Sequence, residues 1–188
     1  QSLEITREIQ DKSEQAAVLV IMAKKVPSLW SEALNVTAEI EAESNRASRL
    51  LSLLPYLPKS RQPEALNIAQ HIRDEFNQVR VLHVIAQQLP NIWTETLSTT
   101  QKIKDESKRV QILKDFASYL PDTLWPDVLY IIKETKDESS RATALRGIAP
   151  HLPKAHHPEA IAILHSIQDK YYSAQALQGC LPHFDALT

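Results

Sequence analysis

Six leucines recur along this chain at near-constant spacing, and that rhythm constrains its fold more than any other feature. Leu19, Leu50, Leu82, Leu113, Leu145 and Leu177 lie 31, 32, 31, 32 and 32 residues apart. Eight residues after each of the first five stands a proline (Pro27, Pro58, Pro90, Pro121, Pro153), and the sixth unit carries Asp185 there. A sustained period of this length marks stacked units, each too small to bury its own apolar face. The units run about 1–31, 32–63, 64–94, 95–126, 127–158 and 159–188. The expected architecture is all-α: a right-handed α-solenoid of about six stacked antiparallel helix pairs in one repeat domain. The chain begins at Gln1, already inside a unit, and stops at Thr188, where another loop would start. It is therefore expected to be a piece of a longer protein, with neither end carrying the polar cap that terminal repeats need.

Each unit reads as two helices. In the first, the columns Leu3, Leu34, Leu66, Leu97, Leu129, Ile161, then Ile5, Val36, Ile68, Thr99, Ile131, Ile163, then Ile9, Ile40, Ile72, Ile103, Thr135, Ile167 are expected on roughly one stripe. In the fifth unit this helix is expected to begin near Asp127. A short break follows. Asp11, Asp74, Asp105, Asp137 and Asp169 share one position there, with Ala42 the exception. An aspartate at that point caps the second helix by accepting from its free amides. Glu43, Glu75, Glu106 and Glu138 come next, in a first turn that favours negative charge. Recurrence in nearly every unit marks these carboxylates as helix caps, where isolated acids would suggest acid–base chemistry.

The second helix carries its apolar residues at i, i+3, i+4 and i+7, as in Leu82, Ile85, Ala86 and Leu89. Three positions before the leucine stands a small residue: Ala16, Ala47, Val79, Val110, Ala142 or Ala174. Small residues let neighbouring helices approach closely. The closing proline ends the helix, and Pro55, Pro150 and Pro182 are expected to end or bend it earlier still. Trp30, Trp93 and Trp125 share a column with Gln62 and His157. Ser31 and Thr94 are expected as N-caps beside their tryptophans, with each indole stapled onto the new helix. Pro63, Pro126 and Pro158 take the same column as those hydroxyl residues.

Composition narrows the function classes. Net charge is −2 and lysines and arginines are interspersed with acids throughout, so neither nucleic acid nor an anionic membrane is the expected partner. No apolar run is long enough to span a bilayer, and no signal-peptide pattern opens the chain. One cysteine cannot form an internal disulfide, which fits a reducing, cytoplasmic setting. No cofactor motif is present: there is no phosphate loop and no nucleophile elbow.

The pattern E-A-L-x-I-A followed by D-E-x-x-R-A-x-A-L and L-P resembles HEAT-like repeats, the short two-helix units appended to large bacterial multidomain signalling proteins. Asp74 with Val79-Arg80 matches the family's Asp-to-Val-Arg spacing, whereas Arg109 and Arg141 stand two residues earlier. The period is shorter than in most HEAT units, and the tetratricopeptide signature is absent. The resemblance implies a recognition or scaffolding surface. HEAT-like enzymes, DNA glycosylases and phycobilin lyases, imply the alternative of a solenoid with a groove site. The first class wants a strongly basic groove, and no motif carries over from the second.

Aligning the units removes most candidates for chemistry. Cys180 shares the column of Met22, Leu53, Ile85, Phe116 and Ile148, which marks a core residue. Five of seven histidines lie beyond residue 150. His151 and His183 share a column and are the weak candidates for a metal, while His156 and His157 are expected in a loop, without any established metal spacing. Tyr56 and Tyr119 join His151 and His183 in that column, the place for a small ligand on the alternative reading.

The surface expected to bind a partner is the ridge of the second helices away from the core. Arg80, Gln111, His83, Lys114 and Arg146 form its polar and basic part, and Val20, Ile21, Leu51 and Val84 its apolar part. The apolar part has two explanations: cover by a preceding repeat or domain, or a partner patch. The expected function is non-enzymatic scaffolding, the partner being protein: other domains of the parent chain or a separate molecule. Assembly through open ends is a further alternative.

Overall fold

The computed structural model describes residues 2–184. Asp185, in the proline column of the sixth unit, lies outside them, as does Thr188. Among the described residues there is no strand, and the protein is all-α. The helices are α1 (Ser2–Arg7), α2 (Lys12–Ala23), α3 (Trp30–Ala38), α4 (Glu43–Leu53), α5 (Gln62–Gln70) and α6 (Glu75–Ala86), then α7 (Trp93–Lys102), α8 (Glu106–Phe116), α9 (Trp125–Lys133), α10 (Glu138–Ile148), α11 (His157–His165) and α12 (Lys170–Cys180). None is long and apolar enough to cross a membrane. At 12 residues or fewer, they are at or below the length at which an isolated helix holds in water, so packing must sustain them.

Two compact units emerge, Gln1–Ile92 and Trp93–Thr188. In the first, α2, α4 and α6 pack side by side in one row, with α3 and α5 in a second row against them. In the other, α8, α10 and α12 form the row of second helices, and α7, α9 and α11 the row of first helices. The recurrent leucines lie between the rows: Leu19, Leu50, Leu82, Leu113 and Leu145 are each 0% exposed, and the small residues Ala16, Ala47 and Val79 equally so. Leu177 is only half-buried and Ala174 is exposed. In the second helices a further column, Val81, Ile112, Ala144 and Ala176, is also buried, while Val18 and Arg49 at the same position are half-buried.

Helix starts follow two different rules. The second helices start as the aspartates require: Asp11, Asp74, Asp105, Asp137 and Asp169 sit in extended backbone and accept from amides two or three residues on. Ala42 caps α4 with backbone alone. The first helices do not use Ser31 or Thr94 as caps. A 3-10 turn, such as Pro27–Leu29 or Asp122–Leu124, runs directly into helices that start at the tryptophans themselves. Helix α9 accordingly begins at Trp125, two residues before Asp127. The turn supplies helical geometry ahead of the indole, so no side-chain cap is needed. Pro63, Pro126 and Pro158 sit in the first turn of their helices, where the missing amide costs nothing. Pro55 and Pro150 fall in 3-10 turns that end α4 and α10 early.

Trp30, Trp93 and Trp125 are buried to within 2% exposure, and Gln62 and His157 stand in for them in the other pairs. Gln62 donates to Gln88. His157 is not in a loop: it opens α11, donates from Nε2 to the Leu152 carbonyl at 3.2 Å and stacks on Phe184 at 4.5 Å.

Candidate functional site

The recurrent acids do more than cap, and their extra duty was not legible in the sequence. Glu43 accepts from the backbone amides of Arg73 and Asp74, at 3.1 and 2.8 Å. Glu106 takes the amides of Lys136 and Asp137, at 3.0 and 2.8 Å, and Glu138 those of Gln168 and Asp169, at 3.1 and 2.8 Å. Each glutamate thus holds the loop of the following pair, 31 residues on. The same glutamates pair with the arginine one turn later: Arg46, Arg109 and Arg141. Those arginines donate to carbonyls at the end of their own first helix, of Ala38, Ile103 and Thr135. Gln15 and Gln78, in the same column, do so with their amides. The D-E-x-x-R run is therefore a stitch: the arginine ties the two helices of one pair, and the glutamate ties that pair to the next.

Burial alone would raise the Glu106 carboxyl, but the Lys136 and Asp137 amides and the Arg109 guanidinium outweigh it and hold it below the usual range. The Asp169 and Gln168 amides hold Glu138 down in the same sense. Both groups are more acidic folded than unfolded. Their contribution is complete above the unfolded carboxylate range, about pH 4.3, and is lost as pH falls from there through the lower folded values. The urea midpoint should therefore drop between about pH 5 and pH 3, and Glu106→Gln should flatten that drop. An unchanged slope in Glu106→Gln would remove the stitch from the account of acid stability.

The remaining candidates separate by environment. Cys180 is 0% exposed, and burial pushes its thiol up to about 11, the opposite of an activated nucleophile. His151 and His183 are exposed, and among the described residues no group of three metal-binding side chains comes together. Tyr56 and Tyr119 are exposed too, with Lys24 seated over the Tyr56 ring at 3.3 Å.

On the second-helix face of the first unit, Val20 is 6% exposed and offers a partner almost nothing, because it packs inward beside Leu19. Ile21, at 63%, is the open residue of that turn, and Leu51, His83 and Val84 are half-buried. Arg80 lies 5.8 Å from the Phe76 ring and donates to Asn77 at 3.5 Å; the His83 ring lies 2.9 Å from the Gln87 amide.

In the second unit, Gln111 is exposed and donates to Asp115 at 2.6 Å. Lys114 reaches across α10, where a Cβ added to Gly147 would fall 2.3 Å from its Cγ. Arg146 repeats this one pair later, its Cγ 2.1 Å from a Cβ built on Gly179. Neither cation has an ion pair or hydrogen bond among the described residues. Between α8 and α10 lies a shallow polar recess of about 150 Å³ bordered by Ser107, Gln111, Lys114, Ser139 and Thr143. No family model, curated protein or solved structure matches the chain.

Proposed function

We propose that the twelve helices form one continuous right-handed α-solenoid of six pairs. On this reading the chain is a non-enzymatic protein-binding or scaffold segment of a larger cytoplasmic protein, of the bacterial signalling kind its repeats resemble. The partner is another domain of the parent chain or a separate protein. The observation that carries this reading is the division of labour among columns. Leucines, tryptophans, capping aspartates and the Glu–Arg stitch repeat because each holds helices together. The outward column of the second helices varies instead, from Ile21 through Ser52, Val84 and Asp115 to Gly147 and Gly179. A surface that varies along a repeated scaffold suits selective recognition.

A photo-crosslinking amino acid at Gln111, on the second-helix face, should capture the partner in cells that express the protein. The same group at Tyr130, exposed on a first helix, should capture it far less. Arg80→Glu with Arg146→Glu should reduce capture while helicity and melting temperature stay put. Equal capture from both faces, or capture indifferent to the double reversal, would place the binding surface elsewhere.

A further inference from the structure

The two glycines of this chain are not turn residues. Both lie inside helices, Gly147 in α10 and Gly179 in α12, at ordinary backbone angles. Each is the second-to-last residue of its helix and neither has a positive φ, so what its missing side chain serves must be read from its neighbours. What it serves is visible in both places: the glycine opens a slot, and a long basic side chain from the preceding second helix lies in it. Lys114 fills the slot at Gly147 and Arg146 the slot at Gly179. Laying the methylene stems on helix backbone fixes their course and leaves the charged ends at the surface. Much of the rotamer entropy that a lysine or arginine loses on binding is then already lost.

Resting on the second-helix face as the binding face, we infer that α8, α10 and α12 form a recognition site for an acidic, extended protein segment. Lys114 and Arg146 are its two carboxylate anchors. The geometry sets a spacing. Adjacent helices pack about 8–10 Å apart, so cations carried over by one helix each repeat at that interval. An extended or polyproline chain advances about 3.1 Å per residue, which puts acidic residues at i and i+3 in register with the two anchors. The polar recess beside Lys114 offers the hydroxyls of Ser107, Ser139 and Thr143 to the backbone of such a segment, and the Asp137 carboxylate also borders it. Asp115 and Asp137 are on the same face and accept from the Gln111 amide and the Ser140 amide; these neutral donors leave the carboxylate charge in place, so the attraction for an acidic segment rests on the two cations alone. Two separated cations among these acids suit spaced carboxylates better than the dense phosphates of nucleic acid.

The probe is a fluorescein-labelled peptide of repeated Glu-Pro-Pro, compared by anisotropy with its Gln-Pro-Pro counterpart and a 12-nucleotide single-stranded DNA. The protein should bind the glutamate peptide at least tenfold more tightly than the glutamine peptide, and more tightly than the DNA. Lys114→Glu with Arg146→Glu should weaken binding at least tenfold. Gly147→Ala with Gly179→Ala leaves the charge unchanged and raises helix propensity, yet should weaken binding at least threefold by evicting both stems, with circular dichroism confirming intact helices. Preference for the DNA, or affinity within twofold of wild type in the charge-reversal variant, would overturn the proposal. The wider reading fails separately. If crosslinks from Gln111 to a cellular partner survive the Lys114→Glu and Arg146→Glu reversal, the face binds protein but not through these cations. If Gln111 captures nothing in cells, the wider reading fails, while the acidic-segment site is decided by the anisotropy comparison alone.

Discussion

Trp93→Ala is expected to lower the stability of the second unit by about 3–5 kcal/mol, the cost of deleting a large buried aromatic without refilling its site. Trp93 opens α7 with 1% exposure, and its indole meets the Phe116 ring at 5.5 Å with planes tilted by 59°. That contact joins the start of a first helix to the last residue of its own second helix. Truncation therefore leaves a cavity at the junction of α7 and α8 and removes an aromatic pair worth about 0.5–1.5 kcal/mol beyond its area. Trp93→Phe keeps an aromatic face in the cavity and should cost less than half as much. Urea unfolding of the two variants measures both values. If Trp93→Ala costs under about 1 kcal/mol, the indole is not the packing element its burial implies.

The tryptophan column also marks how far sequence could go. Its register with the repeat identified structural residues, and the indoles are buried. The local start of the helix was misplaced, since Ser31 and Thr94 matched a capping pattern that a preceding 3-10 turn makes unnecessary. His157 is expected in a loop from sequence although it shares the tryptophan column; it opens α11 and stacks on Phe184. The aspartate caps were legible because capping is local, decided within three residues. The Glu–Arg stitch was not, because its partners are backbone amides 30 and 31 residues away. Its one available signal was the recurrence of glutamate and arginine three residues apart at Glu43, Glu106 and Glu138.

The candidate site was legible only in outline. Helical geometry placed Arg80, Gln111, Lys114 and Arg146 on the face away from the core, but it could not separate Val20 from Ile21, one buried and one open. Nor could it tell that the glycines facing Lys114 and Arg146 accept their side chains, because that contact crosses from one pair to the next. Features within one helix follow from periodicity. Features between helices need the packing.

Leu82→Ala should be the corresponding large loss in the first unit, about 2–5 kcal/mol through cavity formation. Leu82 is 0% exposed in α6 and is flanked by Val81 at 0%, Ile85 at 1% and Ala86 at 0%. Helix α6 packs against both α4 and α5, so a void there is shared by two interfaces and neither can close it alone. In a repeat protein, stability is a sum of unit and nearest-neighbour terms, so damage is expected to stay local. Amide exchange should therefore accelerate most in α4, α5 and α6, with the amides of α2 affected less. His83→Ala, on the neighbouring half-buried position, should change stability by no more than about 1 kcal/mol and serves as the surface control. Acceleration spread evenly over α2, α4, α5 and α6 would mean that the unit opens as one cooperative body, and that the leucine column links its pairs more tightly than nearest-neighbour packing requires.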